Sequence, residues 1–180
     1  MKKEELSGAL IALKQAIANE QDGRRFYQEA ARKTTDKNGK KMFSFLVEEE
    51  EQHFNALVAE YEAISGGGMW IPLDSARRTT PSGASLALFP QAKDTAKEMI
   101  PPGASDLEAL KMAMDFETEG YNMYQRAGEE TPDPLGKAVY HAMAKEENKH
   151  FTMLQKSHEY LSSKGMWLFD DLEKPSFDGP

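Results

Sequence analysis

The chain has 180 residues, 39% of them hydrophobic and 29% charged, with a formal net charge of -8 and no cysteine. Its length and balance suit one globular domain, residues 1–180, with a sizeable core. The acidic excess excludes nucleic acid and anionic membrane as natural partners, because both need a basic surface. Without cysteine the chain has no disulfide, thiolate zinc site, iron–sulfur cluster or cysteine nucleophile, which fits a reducing compartment.

The opening, MKKEELSGALIALKQ, carries an apolar run too short for a signal peptide, and no stretch approaches the roughly 18 apolar residues that span a bilayer. A cytoplasmic protein is expected. Helical periodicity then runs over residues 5–33 and 38–64, broken by "TTDKNG" at 34–39. Residues 71–105 hold Pro72, Pro81, Pro90, Pro101 and Pro102 among small polar residues and read as a linker, with one short helix near 92–99. Ser105 and Glu108 form a capping box that opens a third helix, 106–129. "TPDPLG" at 131–136 breaks the chain, and Pro134 suits the first turn of a fourth helix, 134–163. An irregular tail, 164–180, follows.

The chain is written twice. A shift of 97 positions, without a gap, lays AIANEQDGRRFYQEAA on AMDFETEGYNMYQRAG, EEEQHFNAL on EENKHFTML, and GMW at 68–70 on GMW at 165–167; about 25 of 65 positions are identical. Two copies of a helical hairpin (about 5–64 and 106–163) explain this better than a solenoid, which needs more and shorter repeats. A helix of some 27 residues is about 40 Å long, and a 35-residue linker can reach roughly 110 Å. An up-down-up-down bundle would need only a short loop here. The long linker instead predicts a crossover, with the hairpins related by a two-fold axis across the bundle. The fold class is therefore all-α, a four-helix bundle.

On a helical wheel Glu50 is the centre of an apolar stripe of Phe43, Leu46, Val47, Phe54, Leu57 and Tyr61, with His53 one turn along. Glu49 and Glu51 lie about 100° to either side, among solvating neighbours. Glu147 is flanked in the same way by Tyr140, Met143, Phe151 and Leu154, with His150 one turn on. Glu20 sits amid Leu13, Ala16, Ile17 and Tyr27, and Glu117 amid Leu110, Ala113, Met114 and Tyr124. All four glutamates face one core. Burying one unpaired carboxylate costs several kcal/mol, and repulsion among four adds to it. Arg24 is the only cation near an inner position, and its repeat partner is Tyr121. Two divalent cations would balance four carboxylates and leave two neutral imidazoles to complete the coordination. A single Glu-x-x-His arises often by chance. Two, each with an inward glutamate 30 residues before it, define a candidate dinuclear site of Glu20, Glu50, His53, Glu117, Glu147 and His150.

With those residues placed, the sequence resembles the ferritin-like superfamily and, within it, the rubrerythrin-like di-iron carboxylate proteins, over about residues 5–165. That superfamily builds its centre from paired Glu and Glu-x-x-His on four helices. The resemblance implies two iron ions per chain, with manganese possible. It further implies that Glu50 and Glu147 bridge the ions, that Glu20 and Glu117 are terminal ligands, and that His53 and His150 bind one ion each. The six would be catalytic through the metals. Tyr27 and Tyr124 occupy positions where tyrosines of the family hydrogen-bond the ligand carboxylates.

Two departures stand out. Rubrerythrins carry a rubredoxin module with four cysteines, so the expected electron donor is a separate protein such as a rubredoxin. They also have an extra glutamate where this chain has Gly120, and the remaining symmetric set looks more like the ferroxidase centre of bacterioferritins. The expected function is a rubrerythrin-like peroxidase, a di-iron oxidoreductase acting on hydrogen peroxide or dioxygen, and the expected assembly a homodimer. Iron oxidation for storage is the alternative, although the tail FDDLEKPSFDGP counts against a ferritin-type shell; a metal-free structural bundle is the third reading. Gly23 and Gly120 face inward, either to leave room for oxidant or to let helices pack. Trp70 and Trp167 are expected to cover the bundle ends, the methionines to fill the core, His141 and His158 to be structural or solvent-facing, and Arg77 and Arg78 to lie in a solvated loop or to dock a partner.

Overall fold

In the computed structural model residues 3–90 and 99–168 are described. They form α1 (Lys3–Lys33), α2 (Lys37–Gly67), α3 (Leu73–Arg78), α4 (Gly83–Leu88), α5 (Asp106–Glu130) and α6 (Pro134–Lys164), with no strand among them. The four long helices match the expected ones to within three residues. No helix among the described residues is long and apolar enough to cross a membrane.

The repeat is visible in how the helices begin and end. Asp36 caps α2 by accepting from the N–H groups of Asn38 and Gly39, and Asp133 caps α6 by accepting from Leu135 and Gly136. Each satisfies donors that a helix start leaves without partners, and Pro134 fills the first position of α6, where a missing N–H does no harm. α2 and α6 both stop at a left-handed glycine, Gly68 with φ 70° and Gly165 with φ 68°. Only glycine enters that region without a Cβ clash. α5 starts with the capping box of Ser105 and Glu108.

α1 packs on α2, α5 on α6, and α1 on α5. Tyr27 meets Glu117 while Tyr124 meets Glu20, so α1 and α5 run antiparallel. His53 meets Glu146 and Ser157 meets Met42, so α2 and α6 do too. α2 and α5 therefore run the same way, and the chain between them must travel the whole bundle. Its contacts trace that path. Ile71 N–H donates to Glu60 near the end of α2, Gln21 Nε2 reaches the carbonyl of Phe89 at mid-bundle, and Met99 and Ile100 donate to Glu29 near the end of α1. The crossover is not the plain linker that the sequence led us to expect. It contains α3 and α4, each six residues, with Ala76 buried against Ala56 and Ala59. The short helix expected near 92–99 falls almost wholly on 91–98, outside the described residues, as does the tail from 169.

Trp70 and Trp167 close opposite ends of the bundle. Each follows one hairpin and packs on a glycine of the other: a Cβ on Gly136 would lie 2.4 Å from the Trp70 ring, and one on Gly39 2.8 Å from Trp167. The apolar core divides into two clusters, one holding Leu13, Leu57 and Trp70 and the other Tyr27, Leu46 and Trp167. The two ends differ in one buried acid. Glu60, fully buried, has Ser157 as its repeat partner. Glu60 accepts from Ile71 N–H at 3.1 Å through one oxygen, and its other oxygen has no hydrogen bond.

Burial, together with the charge of Asp133, pushes the Glu60 carboxyl up to about 7. The folded chain thus holds this proton more tightly than the unfolded chain, whose ordinary value is about 4.5. Its contribution to stability is fully present below about pH 4.5 and is lost as pH rises through about 7. Glu60→Gln should therefore gain on the wild type by about 3 kcal/mol between pH 4.5 and 8, at 1.36 kcal/mol per pKa unit. Denaturant unfolding across that range checks it, and a pH-independent difference would count against an ionised, buried Glu60.

Candidate metal centre

The inward glutamates of four helices meet between the two apolar clusters. Glu20 comes from α1, Glu50 from α2, Glu117 from α5 and Glu147 from α6, and each is at most 1% exposed. His53 and His150 stand beside them at 2% and 3%. The helical period places each histidine one turn beyond its glutamate on the same face, and the two-fold relation stacks the imidazoles 5.5 Å apart.

All six expected side chains come together. Potential ligand atoms of Glu20, Glu50 and His53 lie within 4.8 Å of one another, as do those of Glu50, Glu117, Glu147 and His150. Glu50 belongs to both groups. His53 Nδ1 is 3.1 Å from Glu20 Oε2 and 3.6 Å from Glu147 Oε1. His150 Nδ1 lies 3.6 Å from Glu117, 3.7 Å from Glu50 and 3.9 Å from Glu147. Tyr27 donates its O–H to Glu117 and Tyr124 donates to Glu20, each phenol reaching across from the opposite hairpin. Arg24 stays out: it pairs with Glu51 at 3.4 Å on the outer side.

Two functional contacts escaped the sequence reading, which left Glu49 among solvating neighbours and did not single out Glu146. Both instead turn toward the histidines. His53 Nε2 donates to Glu146 at 2.8 Å, and Glu49 stands 3.9 Å from His150 Nε2. One signal was available, because an acid precedes the central glutamate in both copies, Glu49–Glu50 and Glu146–Glu147. Arg77 is corrected in part: it is exposed, as expected, but lies on the short helix α3 rather than in a loop, and it pairs with Glu146. His141 packs beside Gly128, and His158 is half-buried.

The charges explain one another. Burial pushes Glu50 well above the usual carboxylate range, reinforced by the charges of Glu20 and Glu117. Burial likewise raises Glu147, with Glu117 and Glu20 adding to it. Glu20 and Glu117 go the other way: burial opposes ionisation, but His53 and His150 respectively outweigh it and hold both low. Burial alone would push the histidines down. Glu146 and Glu20 instead lift His53 to about 10, and Glu117 and Glu49 lift His150 to about 8. Burial and the nearby carboxylates keep Tyr27 and Tyr124 firmly protonated, so they act as donors. Protons thus sit where the site asks for positive charge. Glu50 Oε1, Glu117 Oε2, Glu147 Oε1 and His150 Nδ1 are buried without a hydrogen bond. Three are carboxylate oxygens, and His150 Nδ1 offers a lone pair once its proton leaves; such atoms bind divalent cations, so the donor set fits metal.

Gly23 and Gly120 lie against the bridging candidates. A Cβ on Gly23 would sit 2.8 Å from Phe116 and 3.2 Å from Glu50, whereas one on Gly120 would sit 3.3 Å from Asn19 and 3.6 Å from Glu147. Alanine adds about 1 kcal/mol of helix propensity at either place. Gly120→Ala should therefore be neutral or slightly stabilising. Gly23→Ala should lose about 1–3 kcal/mol, because Phe116 and Glu50 must shift. Thermal unfolding of both variants tests this, and an equally tolerated Gly23→Ala would show that the close approach is unimportant.

Comparison with known proteins agrees with the site. The family model for rubrerythrin matches residues 12–99, which contain Glu20, Glu50 and His53. No curated protein and no solved structure matches the chain.

Proposed function

We propose that the chain, similar over residues 12–99 to the rubrerythrin family model, is a di-iron oxidoreductase that reduces hydrogen peroxide with electrons from a separate donor protein, such as a rubredoxin. The observation that carries this is Glu50 shared between two clusters of buried carboxylate and imidazole, an arrangement suited to two ions bridged by carboxylate. Glu50 and Glu147 would bridge, Glu20 with His53 would complete one ion's shell, and Glu117 with His150 the other's. Two bound irons would supply the electrons, one each, that peroxide or dioxygen accepts.

The chain's own groups hold this centre in place. Tyr27 fixes Oε1 of Glu117 and leaves Oε2 without a hydrogen bond, while Tyr124 fixes Oε1 of Glu20, whose Oε2 faces His53 Nδ1. Glu146 accepts the hydrogen bond of His53 Nε2–H and so presents Nδ1 inward, the carboxylate–histidine arrangement that sets tautomer and ring orientation. Glu49 faces Nε2 of His150 from the equivalent place. Two apolar clusters on either side keep bulk water away and strengthen each electrostatic contact. A second reading, iron oxidation for storage, is favoured by Gly120, which leaves no side chain for an extra ligand at that turn and keeps the ligand set symmetric. Gel filtration separates the two, since a homodimer fits peroxide reduction and a large hollow assembly fits storage.

Anaerobic titration with Fe(II), followed by separate additions of hydrogen peroxide and dioxygen, should reach an endpoint near two Fe(II) per chain, with faster oxidation by peroxide. Glu50→Ala should abolish paired binding. An endpoint below one equivalent in the wild type would overturn the proposal, and oxidation by dioxygen alone would favour storage.

A further inference from the structure

Among the described residues, the crossover reaches the centre through Arg77. Ala76 of α3 is fully buried on a platform of Ala56 and Ala59 from α2, and side chains that small let the two helices approach closely. Ile71, just before α3, is tied to Glu60. Docked in this way, α3 directs the partly exposed Arg77 onto Glu146, the carboxylate that accepts the hydrogen bond of His53 Nε2–H. A continuous chain of contacts therefore runs from the crossover through Arg77, Glu146 and His53 to Glu20.

The two halves of the centre are not equally tight. Glu146 stands 2.8 Å from His53, whereas Glu49 stands 3.9 Å from His150, beyond hydrogen-bond distance. Arg77 Nη2 and His53 Nε2 meet the same Glu146 oxygen, Oε2, so the guanidinium holds the very atom that faces the imidazole. A carboxylate held still is a better anchor for an imidazole than one free to rotate away.

We propose that Arg77 is a positioning residue: by clamping Glu146 against His53 it fixes the tautomer that turns Nδ1 inward, and it makes the Glu20–Glu50–His53 half the tighter of the two cation sites. This deepens the metal-centre reading and rests on it. The crossover, on this view, does more than span the bundle, because among the described residues it gives one half of the site a contact that the other half lacks.

Co(II) added to metal-free protein, followed by calorimetry and by its visible absorption, reads the two sites without any turnover. The wild type should bind in two distinguishable steps. Losing the partner carboxylate of a ligating histidine weakens metal binding about 10- to 100-fold, whereas a partly exposed ion pair counts for a few-fold. Glu146→Gln should fall in the first range, and Arg77→Ala should weaken the tighter step about 3- to 10-fold and leave the other unchanged. Arg77→Lys should recover part of the loss, and Arg78→Ala should have no effect. Combining Arg77→Ala with Glu146→Gln should add little to the latter alone, because both act through one contact. A merely structural role would lower melting temperature without separating the steps. Unchanged binding in Arg77→Ala, or equal weakening of both steps, overturns this inference and leaves the metal centre standing. A wild type that takes up no Co(II) overturns both.

Discussion

Four carboxylates in one dry core are the constraint to which the rest of the molecule answers. Any one of them, ionised and alone, would cost several kcal/mol to bury, and side by side they repel. The chain meets this in layers. Two histidines lie against the carboxylates, two tyrosines donate to them, and Glu50 and Glu147 are driven toward the protonated form. Several lone-pair atoms are still left without a donor, and these same atoms converge. Such a cluster is a poor way to stabilise a bundle, since apolar residues of similar volume would do better. It makes sense as a receptacle for positive charge.

The repeat supplies the geometry. A hairpin carrying one Glu and one Glu-x-x-His cannot close a site alone. Two of them related by a two-fold axis place six candidate ligands at the centre and let each hairpin complete the other: Tyr27 serves Glu117, Tyr124 serves Glu20, and each tryptophan covers the opposite hairpin's glycine. The axis forces α2 and α5 to run the same way, which in turn forces a long crossover. Once present, that segment adds a contact that, among the described residues, falls on one half of the site only.

Most of this was legible from residues alone, for identifiable reasons. The 3.6-residue period marks Glu20, Glu50, Glu117 and Glu147 because a charged residue at the centre of an apolar stripe contradicts its surroundings. The 97-residue shift marks the hairpins, and linker length marks the crossover. The chain breaks at 34–39 and 131–136, with Pro134 and the capping box at Ser105, fix the helix starts closely. What stayed hidden depends on neighbours that a single wheel cannot represent. Glu49 and Glu146 lie about 100° from the stripe, which reads as solvent-facing on an isolated helix, yet α2 and α6 are close enough for each to reach the other's histidine. α3 and α4 were missed because six-residue helices have little periodicity and form only by docking. Arg77 looked spare for the same reason, its partner being 69 positions away.

Anomalous diffraction from crystals grown with Fe(II) and recorded at the iron edge addresses the central claim most directly. Two peaks about 3.5–4 Å apart, the spacing of dinuclear sites, should lie among Glu20, Glu50, His53, Glu117, Glu147 and His150. Electron density showing those side chains bonded to one another with no iron between them, and iron only on surface carboxylates, would contradict it.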